Sequence, residues 1–172
     1  MKDLSRYKKI TGKFLQNVPV EPVKIKPFVP ETKQIAQKYK KKLDRLLSGF
    51  NLEARIHGSV AFEIAGKGEI DFRIFVPTKR WLEIVKYFIN YYRRVENLED
   101  EYVRFVDFFD GLEIEVVLVR GYTALHEKRL SKYFKNHSEA RNKYEEIKRK
   151  YAYSRREYIH QKYKFLKSIS FG

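Results

Sequence analysis

The 172 residues predict an α+β fold, a mixed β-sheet backed by helices and followed by a C-terminal helical segment. Three observations predict it. Short apolar runs at 52–57 and 69–76 are bounded by breakers, as half-buried strands are. Tyr102 to Phe109 alternates, meets Asp110-Gly111, and resumes as Leu112 to Val119, the pattern of a β-hairpin. From Thr123 to Ser168 the apolar residues recur at helical spacing.

Taken in order, residues 1–18 carry mixed charge and read as an arm or a short docked helix. Pro19, Pro22, Pro27 and Pro30 then forbid a helix and leave an extended segment. Glu31 or Thr32 opens a helix to about Leu47, with Ile35, Tyr39, Leu43, Leu46 and Leu47 inward. Its lysine run reads as a solvated face. Ser48-Gly49 stops that helix. Leu52 to His57 is the first strand, and Val60 to Ile64 is one helical turn leading away from Gly58-Ser59. Glu69 to Val76 is the second strand. Thr78 is an N-cap for a helix to about Asn90, with Trp81, Leu82, Ile84, Val85, Phe88 and Ile89 inward. Tyr91 to Asn97 reads as a short strand before the hairpin. Three helices follow, at about Thr123–Lys135, Ser138–Tyr151 and Ser154–Ser168. The expected organisation is an N-terminal arm at 1–22 and one domain at 23–172. Within it, 23–121 holds the sheet and an acidic site, and 122–172 holds basic helices.

The formal charge is +15, and it is unevenly spread. Residues 1–50 and 120–172 are strongly basic, while 51–119 is acidic on balance. Carboxylates in the middle invite cations, and basic flanks invite phosphates. With no cysteine, disulfides, thiolate catalysis and cysteine-bound zinc are excluded. There is no apolar run of membrane-spanning length and no signal-peptide pattern, so no membrane role and a cytoplasmic location are expected.

The chemistry concentrates between Arg55 and Pro77. Glu69 and Asp71 are two apart on a strand and share one face, while Ile70 and Phe72 face the core. Gly58-Ser59 ends the preceding strand, where a glycine lets backbone N–H groups approach a phosphate. Glu113 and Glu115 again share a face, and either can supply a third carboxylate. Carboxylate oxygens suit hard cations. With nine residues between Ser59 and Glu69, this set resembles the nucleotidyltransferase superfamily signature: Gly-Ser, a spacer, carboxylate-x-carboxylate, and a third carboxylate on a later strand. The fold that the resemblance implies is nucleotidyltransferase-like.

A narrower resemblance covers roughly residues 23–166. Val23 to Pro30 resembles the opening strand and turn of the GrpB-like family, and Ile56-His-Gly-Ser59 resembles its corner. Lys67 to Asp71, Tyr133 to Glu139, Tyr144 to Lys148, and Tyr158, Lys162 and Phe165 follow in the family's order. The chain departs from it after Gly-Ser, where Val60 to Ala65 replaces the usual run, and in carrying Glu69, Glu113 and Glu115.

The resemblance implies a Mg²⁺- or Mn²⁺-dependent transfer of a nucleoside monophosphate from an NTP to an acceptor hydroxyl. Glu69, Asp71 and Glu113 or Glu115 would hold metal and carry catalysis. Gly58, Ser59, Lys67 and Lys162 would contact the nucleotide, with Tyr158 beside Lys162. Each residue also has a plainer reading. Asp71 can pair with Arg73, which shares its face and can replace a metal, or with Lys67. The glutamates at 113 and 115 can be the solvated side of a hairpin. Ser59 can be a helix N-cap, and His57 either a base or a strand-end packing residue. Lys128, Arg129 and Lys132 form a basic helix face that can flank an acceptor. The alternative to an enzyme is a non-catalytic module of the same fold that binds RNA or another polyanion through its basic arms.

Overall fold

Strand β2, Ile70–Phe75, sits inside the sheet because every second residue, Ile70, Phe72 and Ile74, is fully buried on one face. A computed structural model describes residues 15–169 of the chain. Most of the expected 1–22 arm therefore lies outside the described residues. Around β2 stand β1 (Ala54–His57), β3 (Asn97–Glu99), β4 (Tyr102–Phe109) and β5 (Leu112–Val119). The sheet order is β1-β2-β5-β4-β3, and only the β2–β5 pairing is parallel. The β4–β5 turn puts Asp110 and Gly111 at φ 48° and 76°, the left-handed pair that a tight hairpin demands.

The two faces of this sheet differ in kind. One carries the main core, where Ile70, Phe72, Ile74, Val103, Phe105, Ile114, Val116 and Leu118 meet two helices. Helix α1, Pro30–Leu47, starts on its proline, where a missing N–H costs nothing, and buries Ala36, Tyr39, Leu43 and Leu47. After the short helix α2, Gly58–Phe62, and strand β2, helix α3, Trp81–Tyr92, buries Trp81, Ile84, Val85 and Phe88. Buried Tyr39 donates to Asp107 at 2.6 Å and is 3.0 Å from the Tyr92 hydroxyl, so its polar end is satisfied.

The other face is covered by α4 (Gly121–Asn136), α5 (Ser138–Lys150) and α6 (Arg155–Ser168). Helix α4 packs on it through Ala124 against Tyr102, Val117 and Val119. A smaller core of Phe62, Ile64, Leu130, Phe134, Ala140, Tyr144 and Leu166 joins the three helices to α2. The start of α4 is held by Glu101, whose carboxylate accepts from the N–H groups of Tyr122 and Thr123 at 3.3 and 2.8 Å.

Several expectations need correction. Residues 23–30 form no sheet strand; they make an isolated bridge, Lys26 with Gly66, because prolines remove the donors a ladder needs. Main-chain bonds also run from Val23 N to Ala152 O, 2.6 Å, and from Arg155 N to Glu21 O, 2.8 Å. Residues 91–97 are not a strand. Helix α3 continues to Tyr92, which stacks on Phe88 and Phe105, and the strand follows at Asn97–Glu99. Thr78 opens a 3₁₀ turn, Thr78–Arg80, without capping. Leu82 is 70% exposed, one step off the inward stripe. Among the described residues, no helix is long and apolar enough to cross a membrane.

The two-faced packing sets an expectation for stability. Phe72→Ala, at a fully buried site, should cost about 3–5 kcal/mol in urea unfolding. Leu82→Ser should change stability by no more than about 0.5 kcal/mol in the same measurement.

Candidate active site

Register decides which side chains meet. His57 pairs with Asp71 across β1 and β2, and Asp71 pairs with Glu115 across β2 and β5. One row across the helix-covered face therefore reads His57, Asp71, Glu115. Two residues further along β2 the row is cationic. There, Arg55 pairs with Arg73, and Arg104 on β4 pairs with Val117. His57, Asp71 and Glu115 of the first row and Arg73 and Arg104 of the second line one cavity of about 230 Å³.

The corner before α2 fixes the approach to that row. Gly58 has φ +64°, and a Cβ there would stand 2.1 Å from Asp71 Oδ2. Only glycine fits the conformation and the close carboxylate together. Gly66 is in a similar position, since a Cβ on it would stand 2.3 Å from Ser59 Oγ. Ser59 is the second residue of α2; the N-cap is His57, with no side-chain capping bond, so the N-cap reading of Ser59 does not hold.

Glu69, Asp71, Glu115, Gly58, Ser59, Lys67, Tyr158 and Lys162 all line this cavity. Glu113 does not; it is exposed, near the hairpin turn, opposite Phe108. Of the two candidates on β5, Glu115 is the one beside Asp71. His57 is buried, with Nε2 2.8 Å from Glu127 Oε2 and its ring near Phe62. Glu127 also stands 3.6 Å from Arg73 Nε.

Charge in the cavity is partly compensated. Lys67 Nζ is 3.0 Å from Glu69, and Arg104 Nη1 donates to Glu115 at 3.1 Å. Arg73 Nη1 is 3.9 Å from Asp71 Oδ1, too long for a hydrogen bond. The Asp71 carboxyl is raised to about 6: burial pushes it up, Arg73 pulls it down, and Glu115 and Glu69 push it up again. On the helix side, Lys148 is 4% exposed and lies over the Tyr144 ring, 5.2 Å from its centre. Burial, and then Lys162, pull its ammonium down to about 8. Lys162 Nζ lies 5.5 Å from the centre of the Tyr158 ring.

Glu127, Arg104 and Lys148 were not singled out from the sequence as site residues. A signal existed for two of them. Glu127 falls on the inward stripe of α4 with Thr123, Ala124, Leu130 and Phe134, and Lys148 follows Ala140 and Tyr144 on that of α5. A charge on an apolar stripe is the mark of a buried polar site.

Mg²⁺ can be tested against this donor set. Among the described residues, no three acidic or histidine side chains already enclose one point. The chemistry nevertheless fits, because Mg²⁺ takes one or two carboxylates and completes its shell with water and substrate phosphate rather than with an all-protein cage. Glu69, Asp71 and Glu115 offer carboxylates of that kind in one cavity.

No family model matches the chain, so the GrpB-like resemblance rests on motif order alone. No curated protein matches it either. Three solved structures are similar to parts of it. A cytoplasmic RNA terminal U-transferase shares 11% identity at a TM-score of 0.43, covering 78% of this chain and 42% of that one. The Cid1 poly(U) polymerase with Mg 3'-dATP bound gives 9% and 0.44, covering 75% and 42%. The CdnC:HORMA-deltaN complex of E. coli MS115-1 gives 18% and 0.41, covering 77% and 50%. The chain thus spans half or less of the length of each. The chemistry of the site lies in the cavity's own residues.

The raised Asp71 value has a consequence for stability. Its folded value, about 6, lies above the ordinary 3.8. The folded state therefore holds the proton more tightly, and ionised Asp71 opposes folding above pH 6, an effect that fades as pH falls toward 4. Asp71→Asn should be more stable than the unsubstituted protein at pH 7.5, by on the order of 1 kcal/mol or more, and no more stable near pH 4. Urea unfolding at both pH values checks this.

Proposed function

We propose that the protein is a Mg²⁺-dependent nucleotidyltransferase that moves a nucleoside monophosphate from an NTP to an acceptor hydroxyl. The observation that carries this is the shared row. Asp71 and Glu115 are register partners on parallel strands, Glu69 lies two residues before Asp71, and all three face one cavity with Lys148 and Lys162.

In this reading one or two of Glu69, Asp71 and Glu115 would hold the metal ion, with water and substrate phosphate completing its shell. Bound there, Mg²⁺ supplies charge to the α-phosphate and acidity to the attacking hydroxyl. The glycine corner and Ser59 border the triphosphate, and Lys148 and Lys162 offset its negative charge from the helix side. The acceptor oxygen forms a bond to the α-phosphorus, the bond to the β-phosphate oxygen breaks, and pyrophosphate leaves. The hydroxyl proton passes to a carboxylate of the set. Lys67 and Arg104 must release Glu69 and Glu115 for this, and incoming phosphates give both cations new partners. Residues 23–172 act as one domain in this proposal.

A second reading has one observation in its favour, the cations that face each carboxylate. If those pairs persist with nucleotide present, the chain is a binding module. Pyrophosphate release separates the two, measured with each NTP, Mg²⁺ and total RNA. Asp71→Asn should lower the rate by at least about 100-fold, the scale for removing one transition-state contact. Glu113→Gln should stay within about twofold, as a surface change does. Wild-type turnover by Asp71→Asn would end the enzyme reading.

Lys148 adds a pH signature. Its ammonium, held near 8, is charged below that pH and neutral above it. NTP affinity should therefore weaken as pH rises from 7 to 9, seen by calorimetry. Lys148→Met should bind weakly and show little of that dependence.

A further inference from the structure

Beside the carboxylate cavity lies a second hollow of about 290 Å³, whose lining includes Arg55, Phe75, Lys128, Lys132 and Lys135 and no acidic residue. Lys128, Lys132 and Lys135 are spaced four and three residues apart, so they share one face of α4. Among the described residues none of the three is paired with a carboxylate. At the floor, the half-buried Phe75 ring has Lys128 Nζ 4.8 Å from its centre and the Arg55 guanidinium 5.6 Å away. Arg55 is also held locally by Glu53, at 2.9 Å. Arg129, one of the cations expected on this face, does not line the hollow, and Lys135 takes its place.

His57 belongs to both cavities. The basic hollow therefore runs up to the residue that is paired with Asp71 across the sheet. Seven helical residues separate Lys128 from Lys135, about 10 Å along the axis. A row that long exceeds one phosphate group and suits successive phosphates of an extended chain.

We infer that this groove binds the acceptor, and that the acceptor is single-stranded nucleic acid whose phosphodiester backbone lies along Lys128, Lys132 and Lys135 with its terminus beside His57. The assignment of the ligand as acceptor rests on the nucleotidyl-transfer reading, but its binding needs no transfer. The test is accordingly made without NTP or Mg²⁺, on the full chain. Fluorescence anisotropy would follow a labelled single-stranded RNA 12-mer across a salt series. One variant carries Lys128→Glu, Lys132→Glu and Lys135→Glu; a second reverses three exposed charges elsewhere, Lys41→Glu, Lys164→Glu and Lys167→Glu.

The groove variant should lose at least tenfold in affinity, and its log–log salt slope should fall by about 2, the value for three single-strand phosphate contacts. The second variant should lose less than threefold. Circular dichroism should show both folded. Equal losses in the two variants would overturn the inference, because charge alone would then account for binding. Competition by poly-glutamate or by free NTP as effective as RNA, phosphate for phosphate or charge for charge, would overturn it too. Loss of transfer in Asp71→Asn with RNA binding intact supports both readings. RNA binding at the groove with no transfer by the unsubstituted protein would remove the enzyme reading and leave the groove.

Discussion

Two carboxylates placed side by side on parallel strands, Asp71 against Glu115, are the constraint around which this molecule is built. Like charges at that spacing, both removed from water, cannot persist without cations nearby. The chain supplies them from three directions: Lys67 from the loop before β2, Arg73 and Arg104 from the sheet itself, and Lys148 and Lys162 from the covering helices. The second face of the sheet is therefore a charged layer enclosed by apolar contacts. A fold governed by stability alone would place aliphatic residues there, as the first face does. Burial still holds the Asp71 carboxyl above its ordinary value, although Arg73 pulls it down.

Much of this was legible in the chain. Alternation in 70–76 and 102–119, Asp110-Gly111, and the helical periods gave the strands, the hairpin and the helices to within a few residues. The Gly58-Ser59 and Glu69-x-Asp71 spacing pointed to the corner and both carboxylates, and all of these line the cavity, although β2 itself begins one residue later, at Ile70. The failures have physical causes. Tyr91 and Tyr92 have strong strand propensity, but aromatic packing on Phe88 and Phe105 carries α3 through them. The proline-rich 23–30 segment reads as extended, and it is, but without donors it joins no sheet.

The choice between Glu113 and Glu115 was not available from alternation, since both share a face. Register made it: β2 begins opposite Ile114, so Glu115 falls beside Asp71 while Glu113 lies beyond the paired stretch. Register is a long-range property, set here across all the chain that separates β2 from β5, and no local pattern encodes it. The same holds for Glu127 and Lys148. Their approach to the site depends on how α4 and α5 lie over the sheet, which long-range contacts set: the Glu101 anchor at the start of α4 and the packing of Ala140 and Tyr144 with Phe134 and Leu166.

The extended segment at 21–26 acts as a tie. Its main-chain bonds hold the Gly66 loop at one end and, through Glu21 and Val23, the corner between α5 and α6 at the other. Gly66 and Lys67 of that loop and Tyr144, Lys148, Tyr158 and Lys162 of those helices line the cavity, and Ala65 N–H donates to Glu145 of α5 at 3.1 Å. Parting loop from helices means breaking up to four backbone bonds to the segment, each worth about 1 kcal/mol net, and the direct Ala65–Glu145 bond as well. Residues early in the chain thus help fasten the loop that carries Gly66 and Lys67 to the helices that carry Lys148 and Lys162.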